Sequence, residues 1–231
     1  MPIPLGGTSN HFRMQALQAA GAWDAYNVTE DADLGIRLAR MGYRTATIAS
    51  TTWEEAPQKR RDWFGQRTRW LKGWLQTWLV HMRRPWQLLR ELGAWRFTGL
   101  QLVMGGVLLS ALVHPVFVVL ALWAVLSGEF WDLPETDVGL WLWWFGTVNL
   151  AVGALAPALA AGLAVVRRGR PWLLASVLLM PFYWLAISVA GYRAVIELVR
   201  RPFHWEKTRH GSPGRRLTAA APTRPPPRRR G

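Results

Sequence analysis

The 231-residue sequence contains no cysteine. That excludes a disulfide scaffold, a thiolate zinc site and a cysteine nucleophile. Acidic residues are few: 14 Asp and Glu stand against 28 Lys and Arg, for a formal net charge of +14. Charged residues amount to only 18% and hydrophobic ones to 51%. Such a chain has ample apolar surface to bury, so disorder is excluded for most of its length. Tyrosine is scarce at four, whereas tryptophan reaches 16.

The most informative absence is local. Residues 97–166 hold no Lys or Arg and four acids. Residues 167–231 hold 14 basic residues and two acids. A long block without one basic residue, set between two basic blocks, is a membrane pattern rather than a nucleic-acid pattern. No nucleic-acid partner is expected; a lipid bilayer is.

Three uncharged runs lie at residues 99–126, 138–166 and 171–192. Each exceeds the roughly 20 apolar residues that span a bilayer core. Pro115, Pro157 and Pro181 lie inside them, where membrane helices tolerate proline. The sequence start lacks the basic-then-apolar pattern of a signal peptide. The link at 127–137 carries Glu129, Asp132, Glu135 and Asp137 and is expected to face outward. The Arg167-Arg168-Gly169-Arg170 link and the basic tail are expected to face the cytoplasm. Three crossings conflict with that, because they put the first part and the tail on opposite sides. An even count requires a break near His114-Pro115 or near Met180-Pro181, with part of a run lying on the surface or re-entering. The expected location is the inner cell membrane.

In the first part, Pro4-Leu5 reads as a strand end and Thr45 to Ser50 as a β-prone alternation. Between them Thr29 is a favourable helix N-cap, followed by Glu30 and Asp31 in the positive first turn. Leu34, Leu38 and Met41 share one helical face, and Gly42 ends the helix. Strand, helix, strand is the grammar of an α/β domain. From residue 58 the chain turns helical, basic and rich in Trp. Trp70, Trp74 and Trp78 recur every fourth position beside Leu71, Leu75 and Leu79. This predicts an interfacial amphipathic helix, with Trp74 and Trp78 as membrane anchors.

Three stretches together resemble membrane-embedded family 2 glycosyltransferases, the processive synthases that make cellulose, hyaluronan and poly-N-acetylglucosamine. They are the loop Gly7-Thr8-Ser9-Asn10, the triplet Thr29-Glu30-Asp31 (TED), and Gln66-Arg67-Thr68-Arg69-Trp70 (Q-x-x-R-W). Membrane runs follow them in the order that family requires. The resemblance covers about residues 1–210 and is to the C-terminal part of such enzymes. It implies a partial α/β glycosyltransferase domain of the GT-A type over residues 1–57. Amphipathic interfacial helices over 58–96, transmembrane helices over 97–200 and a basic cytoplasmic tail over 201–231, disordered from about 212, would follow.

The implied activity is inverting transfer of a sugar from a nucleotide-diphosphate sugar to a growing polysaccharide, coupled to membrane translocation. The acceptor hydroxyl must lose its proton as it attacks, and a carboxylate within reach supplies a general base. Asp31 is the expected base, with Glu30 in support. Gln66, Arg69 and Trp70 share one helical face. The indole suits the C–H face of a sugar, the amide its hydroxyls, and the guanidinium a departing diphosphate. Thr8, Ser9 and Thr29 complete the expected donor and acceptor contacts. Arg67, about 100° round from Gln66, is expected to be a solvated or headgroup-facing charge. Trp205, Lys207 and Thr208 resemble a gating loop over the bound nucleotide, or serve as a basic stretch on anionic lipid.

Divalent Mg or Mn is implied for the full enzyme, with ligands outside this chain. The Asp31-Ala32-Asp33 match to D-x-D lies inside the TED helix and is not that motif. No metal site is expected here. A donor-binding domain is therefore expected elsewhere, and this chain alone is expected to be inactive. The alternatives are a non-processive enzyme acting on a lipid-linked acceptor and a non-catalytic membrane protein.

Overall fold

The computed structural model describes residues 4–52 and 54–202. Its helices are α1 (Met14–Ala19), α2 (Glu30–Arg40), α3 (Arg60–His81), α4 (Pro85–Leu92), α5 (Ala94–Leu100), α6 (Gly106–Ser127), α7 (Asp137–Arg167), α8 (Leu174–Val177) and α9 (Met180–Arg200). A π-helical turn at Gln101–Gly105 joins α5 to α6. The expected gating residues Trp205, Lys207 and Thr208, and the tail, lie outside the described residues.

Among the described residues there is no strand. This corrects the expected α/β domain. Residues 45–50 are irregular and almost wholly exposed, and among the described residues no segment pairs with them as a strand. An alternating stretch becomes a strand only where a second one takes up its N–H and C=O groups. Pro4-Leu5 likewise has no partner. The local alternation carries no long-range consequence.

The helix α2 forms where its caps predict. Three acids occupy its first turn, Glu30, Asp31 and Asp33, and two arginines its last, Arg37 and Arg40, both favourable to the helix dipole. Gly42 ends it at φ +83, a left-handed conformation that costs glycine little. Leu34 and Leu38 pack on Ala16, Leu17 and Ala20 around α1. Ile36 and Ala39 face the other way, onto Leu88, Leu92, Leu100 and Met104. The helix is thus enclosed on two sides.

Helix α3 is the central pillar. Apart from Leu71, its buried residues are small or polar, namely Gly65, Thr68, Lys72, Gly73, Thr77 and His81. Small residues let neighbouring helices approach closely. Trp74 and Trp78 pack against the cores that join α3 to α4, α5 and α9. The Trp78 indole N–H donates to Gln101 Oε1 at 2.9 Å. These two tryptophans therefore hold helices together.

Three helices are long and apolar enough to cross a membrane: Ala94–Ser127, Asp137–Arg167 and Met180–Arg200. The first runs unbroken through Pro115. The third apolar run breaks instead, into a 3₁₀ turn at Pro171–Leu173, the short α8 and then α9. Pro181 lies in the first turn of α9, where a missing N–H costs nothing. α7 buries no residue, so its apolar side chains stay on the surface. α9 instead lies along α3. Tyr183 meets the Trp63 ring at 5.6 Å, Gly191 lies beside Leu71, and Lys72 Nζ donates to Arg201 O at 2.6 Å. The pairings advance together, so α3 and α9 run in the same direction.

Candidate active site at the junction of α2 and α3

Asp31 lies in the first turn of α2, half-buried. Its Oδ1 accepts the Ala32 N–H at 2.8 Å. Burial raises its pKa above the ordinary aspartate value. The Ala32 N–H opposes that rise, Glu30 adds to it, and the Arg69 charge pulls against it. A carboxylate so placed is a better proton acceptor than one in water. Arg69 is its counterpart on α3. Burial lowers the guanidinium's pKa, and Glu30 and Asp31 hold it up. Glu30, Asp31 and Arg69 therefore form one electrostatic unit across the two helices.

Trp70 follows Arg69 and is 40% exposed, a flat indole open to solvent. Gln66 lies one turn earlier and is half-buried. Arg67 differs from expectation. Its guanidinium carbon lies 4.4 Å from the centroid of Trp70 and 5.6 Å from that of Trp63. It caps one face of Trp70 as a cation–π partner. It is three residues from Trp70, which puts the two side chains on neighbouring positions of the helix surface.

The glycine loop reaches the same place. A Cβ on Gly7 would come within 3.2 Å of Asp31 Oδ2, so the loop backbone passes close over the carboxylate. Thr8 and Ser9 are exposed on that loop. Ser9 has a positive φ and its hydroxyl pairs with Thr52 at 3.0 Å. Thr29 occupies the N-cap position but makes no side-chain cap bond. It is turned instead onto Gly73 of α3, where an added Cβ would lie 2.5 Å from it. Its own backbone N–H is taken by Asn27 Oδ1 at 3.0 Å.

A second charged cluster lies behind Asp31, and the sequence did not announce it. Asp33 accepts from His81 Nε2 at 2.9 Å and from Arg37 Nε at 2.7 Å. Burial pushes the Asp33 carboxyl up, but these two donors outweigh it and hold the pKa below the ordinary value. This contributes stability above the unfolded pKa that is lost as pH falls through the folded one. Arg37 also donates to the carbonyls of Ala20 and Ala22. Arg40 bridges His81 Nδ1, at 2.9 Å, and Glu91 of α4. The one available signal was the spacing Asp33, Arg37, Arg40, which lines one helix face with charge next to a buried one.

The divalent metal implied by the resemblance would need ligands. Among the described residues no group of three or more His, Asp or Glu could hold one. Asp31 and Asp33 do not converge on a common point in function, because Asp33 is committed to His81 and Arg37. The described residues do not fit a metal.

No solved structure matches the chain. A stretch of 68 residues is 37% identical to the "Probable glycosyltransferase YdaM" of Bacillus subtilis (strain 168), covering 29% of this chain and 16% of that protein. The chain thus matches only a small part of that longer relative. A family model described as "Glycosyl transferase family group 2" matches residues 1–190. That match takes in the loop at Gly7, the Asp31–Arg69 unit, Trp70 and all but the end of the helical part, and the chain belongs to this glycosyltransferase family.

Proposed function

We propose that this chain carries the acceptor-side and membrane part of an inverting enzyme that moves a sugar from a nucleotide-diphosphate donor to a growing polysaccharide. The observation that carries it is a half-buried carboxylate of raised pKa in the field of a half-buried guanidinium, with the Gly7 loop backbone close over the carboxylate and an open indole next in sequence to the arginine. Asp31 takes the proton of the attacking acceptor hydroxyl. Arg69 meets the negative charge that grows on the departing diphosphate. Trp70 offers its uncapped face to the C–H face of the acceptor sugar, and Gln66 its amide to the hydroxyls. Thr8 and Ser9 contact the donor sugar from the loop over Asp31, and Glu30 raises the basicity of Asp31. A gating role for Trp205, Lys207 and Thr208, which lie outside the described residues, requires the tail to be on the same side as the nucleotide.

Product length separates this from transfer to a lipid-linked acceptor. Membranes carrying the full enzyme should convert labelled donor into material retained as polymer by size exclusion. Label confined to a short, solvent-extractable lipid product would favour the non-processive enzyme.

The same reading places the enzyme in the inner membrane with two full crossings, α6 and α7. Residues 171–200 enter beside the end of α7 and return along α3 as α9. Both the Arg167-Arg168-Gly169-Arg170 link and Arg200-Arg201 then stay on the cytoplasmic side with the catalytic part, as the charge rule asks. Tags beside Asp132 should be reached only from outside the cell, and tags after Gly211 only from inside. A tail labelled from outside would mean three crossings and would separate Trp205 from any cytoplasmic nucleotide.

A further inference from the structure

Arg69, Gly73, Thr77 and His81 follow one another at every fourth position of α3. They therefore form a single ridge along the helix. Arg69 acts electrostatically on Asp31, the proposed base. The other three all touch the segment that bears that carboxylate. Gly73 meets Thr29, and a Cβ there would lie 2.5 Å from both Thr29 Cγ2 and Oγ1. Thr77 Oγ1 accepts from Asn27 Nδ2 at 2.8 Å. His81 Nε2 meets Asp33 Oδ1 at 2.9 Å.

These contacts are buried. Asn27, Thr29, Asp33, Thr77 and His81 are each no more than 8% exposed. Their polar atoms have little water to fall back on, so each pairing tolerates one register. The histidine is fixed on both sides. Arg40 has only donors to offer, so His81 Nδ1 accepts from it. Nε2 then carries the hydrogen and donates to Asp33. Glu91 of α4 holds Arg40, and Arg37 holds the other Asp33 oxygen. A one-residue slip of α3 turns it by about 100°. Such a slip would break both polar pairs, drive a side chain into Thr29 and carry Arg69 away from Asp31.

We infer that Asn27, Thr29 and Asp33 clamp the Gly73–Thr77–His81 ridge to set the register of Arg69 against Asp31, which makes His81 a positioning residue for sugar transfer. The inference rests on the roles proposed for Asp31 and Arg69. His81 touches neither reactant. It acts by holding α3, and a misplacement of about 1 Å at reacting groups costs about 10²-fold in rate.

The test uses the full enzyme in membranes, with radiolabelled uridine-diphosphate glucose, galactose and N-acetylglucosamine as parallel donor probes. His81→Ala should lower kcat about 10²-fold while donor KM changes less than about threefold. His81→Gln should recover most of kcat, because its amide presents one donor and one acceptor as the imidazole does. Asp31→Asn is the control. If Asp31→Asn keeps the wild-type rate, the base assignment fails. If Asp31→Asn is inactive and His81→Ala keeps kcat, the clamp fails and the base assignment stands.

A second measurement is independent of donor and of activity. The chain has no cysteine, so introduced pairs report distance cleanly. Asn27→Cys with Thr77→Cys should cross-link under mild oxidation, rejoining the halves made by a protease site inserted after residue 55. Asn27→Cys with Gln76→Cys or with Trp78→Cys should not. Adding His81→Ala should spread cross-linking to those neighbours, and His81→Gln should restore the single pair. Equal cross-linking at positions 76, 77 and 78 in the parent, or no change with His81→Ala, would overturn the clamp whichever donor the enzyme accepts.

Discussion

Asp31→Asn is expected to slow sugar transfer by about 10²–10⁴-fold, the range that a positioned general base supplies, without reducing the amount of protein in the membrane. The substitution keeps size and polarity and removes the basic oxygen. The stability side follows from the sign of the shift. Burial raises the Asp31 pKa in the folded chain. A raised carboxylate contributes stability that is present below the unfolded pKa and lost as pH rises through the folded one. At neutral pH its ionisation therefore works against folding, and asparagine removes that cost. Radiolabel transfer beside an immunoblot of the same membranes checks both halves. Full transfer at equal protein level would remove Asp31 from the chemistry.

Arg69→Ala is expected to lower kcat by about 10²–10³-fold, the effect of removing one preorganised group that meets developing charge. Its guanidinium is partly withdrawn from water, which strengthens its field at short range. Arg69→Lys should recover only part of the loss, because an ammonium is a point charge without the planar fork. The same change has a second signature. Arg69 pulls the Asp31 pKa down against burial. Losing it should let that pKa rise further, so the acid limb of the residual rate moves to higher pH. A loss of rate with no displaced limb would mean that the arginine acts away from Asp31.

The parts of this site that sequence reveals are those set by local spacing. Thr29 preceding two acids marks the start of α2, and i, i+3, i+4 spacing brings Gln66, Arg69 and Trp70 to one face of α3. Uncharged length marks the three apolar runs, and Met180-Pro181 marks the break that the chain uses. What stayed hidden depends on docking between distant segments. His81 reads as a basic residue in a last helical turn until Asp33 is found 2.9 Å away. Gly73 reads as a weakness in a helix until Thr29 is found packed against it. The strand expected at residues 45–50 failed for the converse reason: its alternation is local, and no second segment lies beside it. The packing of Trp78 was hidden likewise, because its indole N–H finds Gln101 on a separate segment.

The central claim, that ionised Asp31 takes the acceptor proton, is tested most directly by the pH dependence of transfer at saturating donor in membranes. The account predicts an acid limb whose midpoint lies above the ordinary aspartate range, because burial and Glu30 raise this carboxyl. It predicts that the limb is absent from the residual reaction of Asp31→Asn. A limb that survives unchanged in Asp31→Asn, or a wild-type rate that stays flat down to about pH 4, near the pKa of an unperturbed carboxylate, would contradict it.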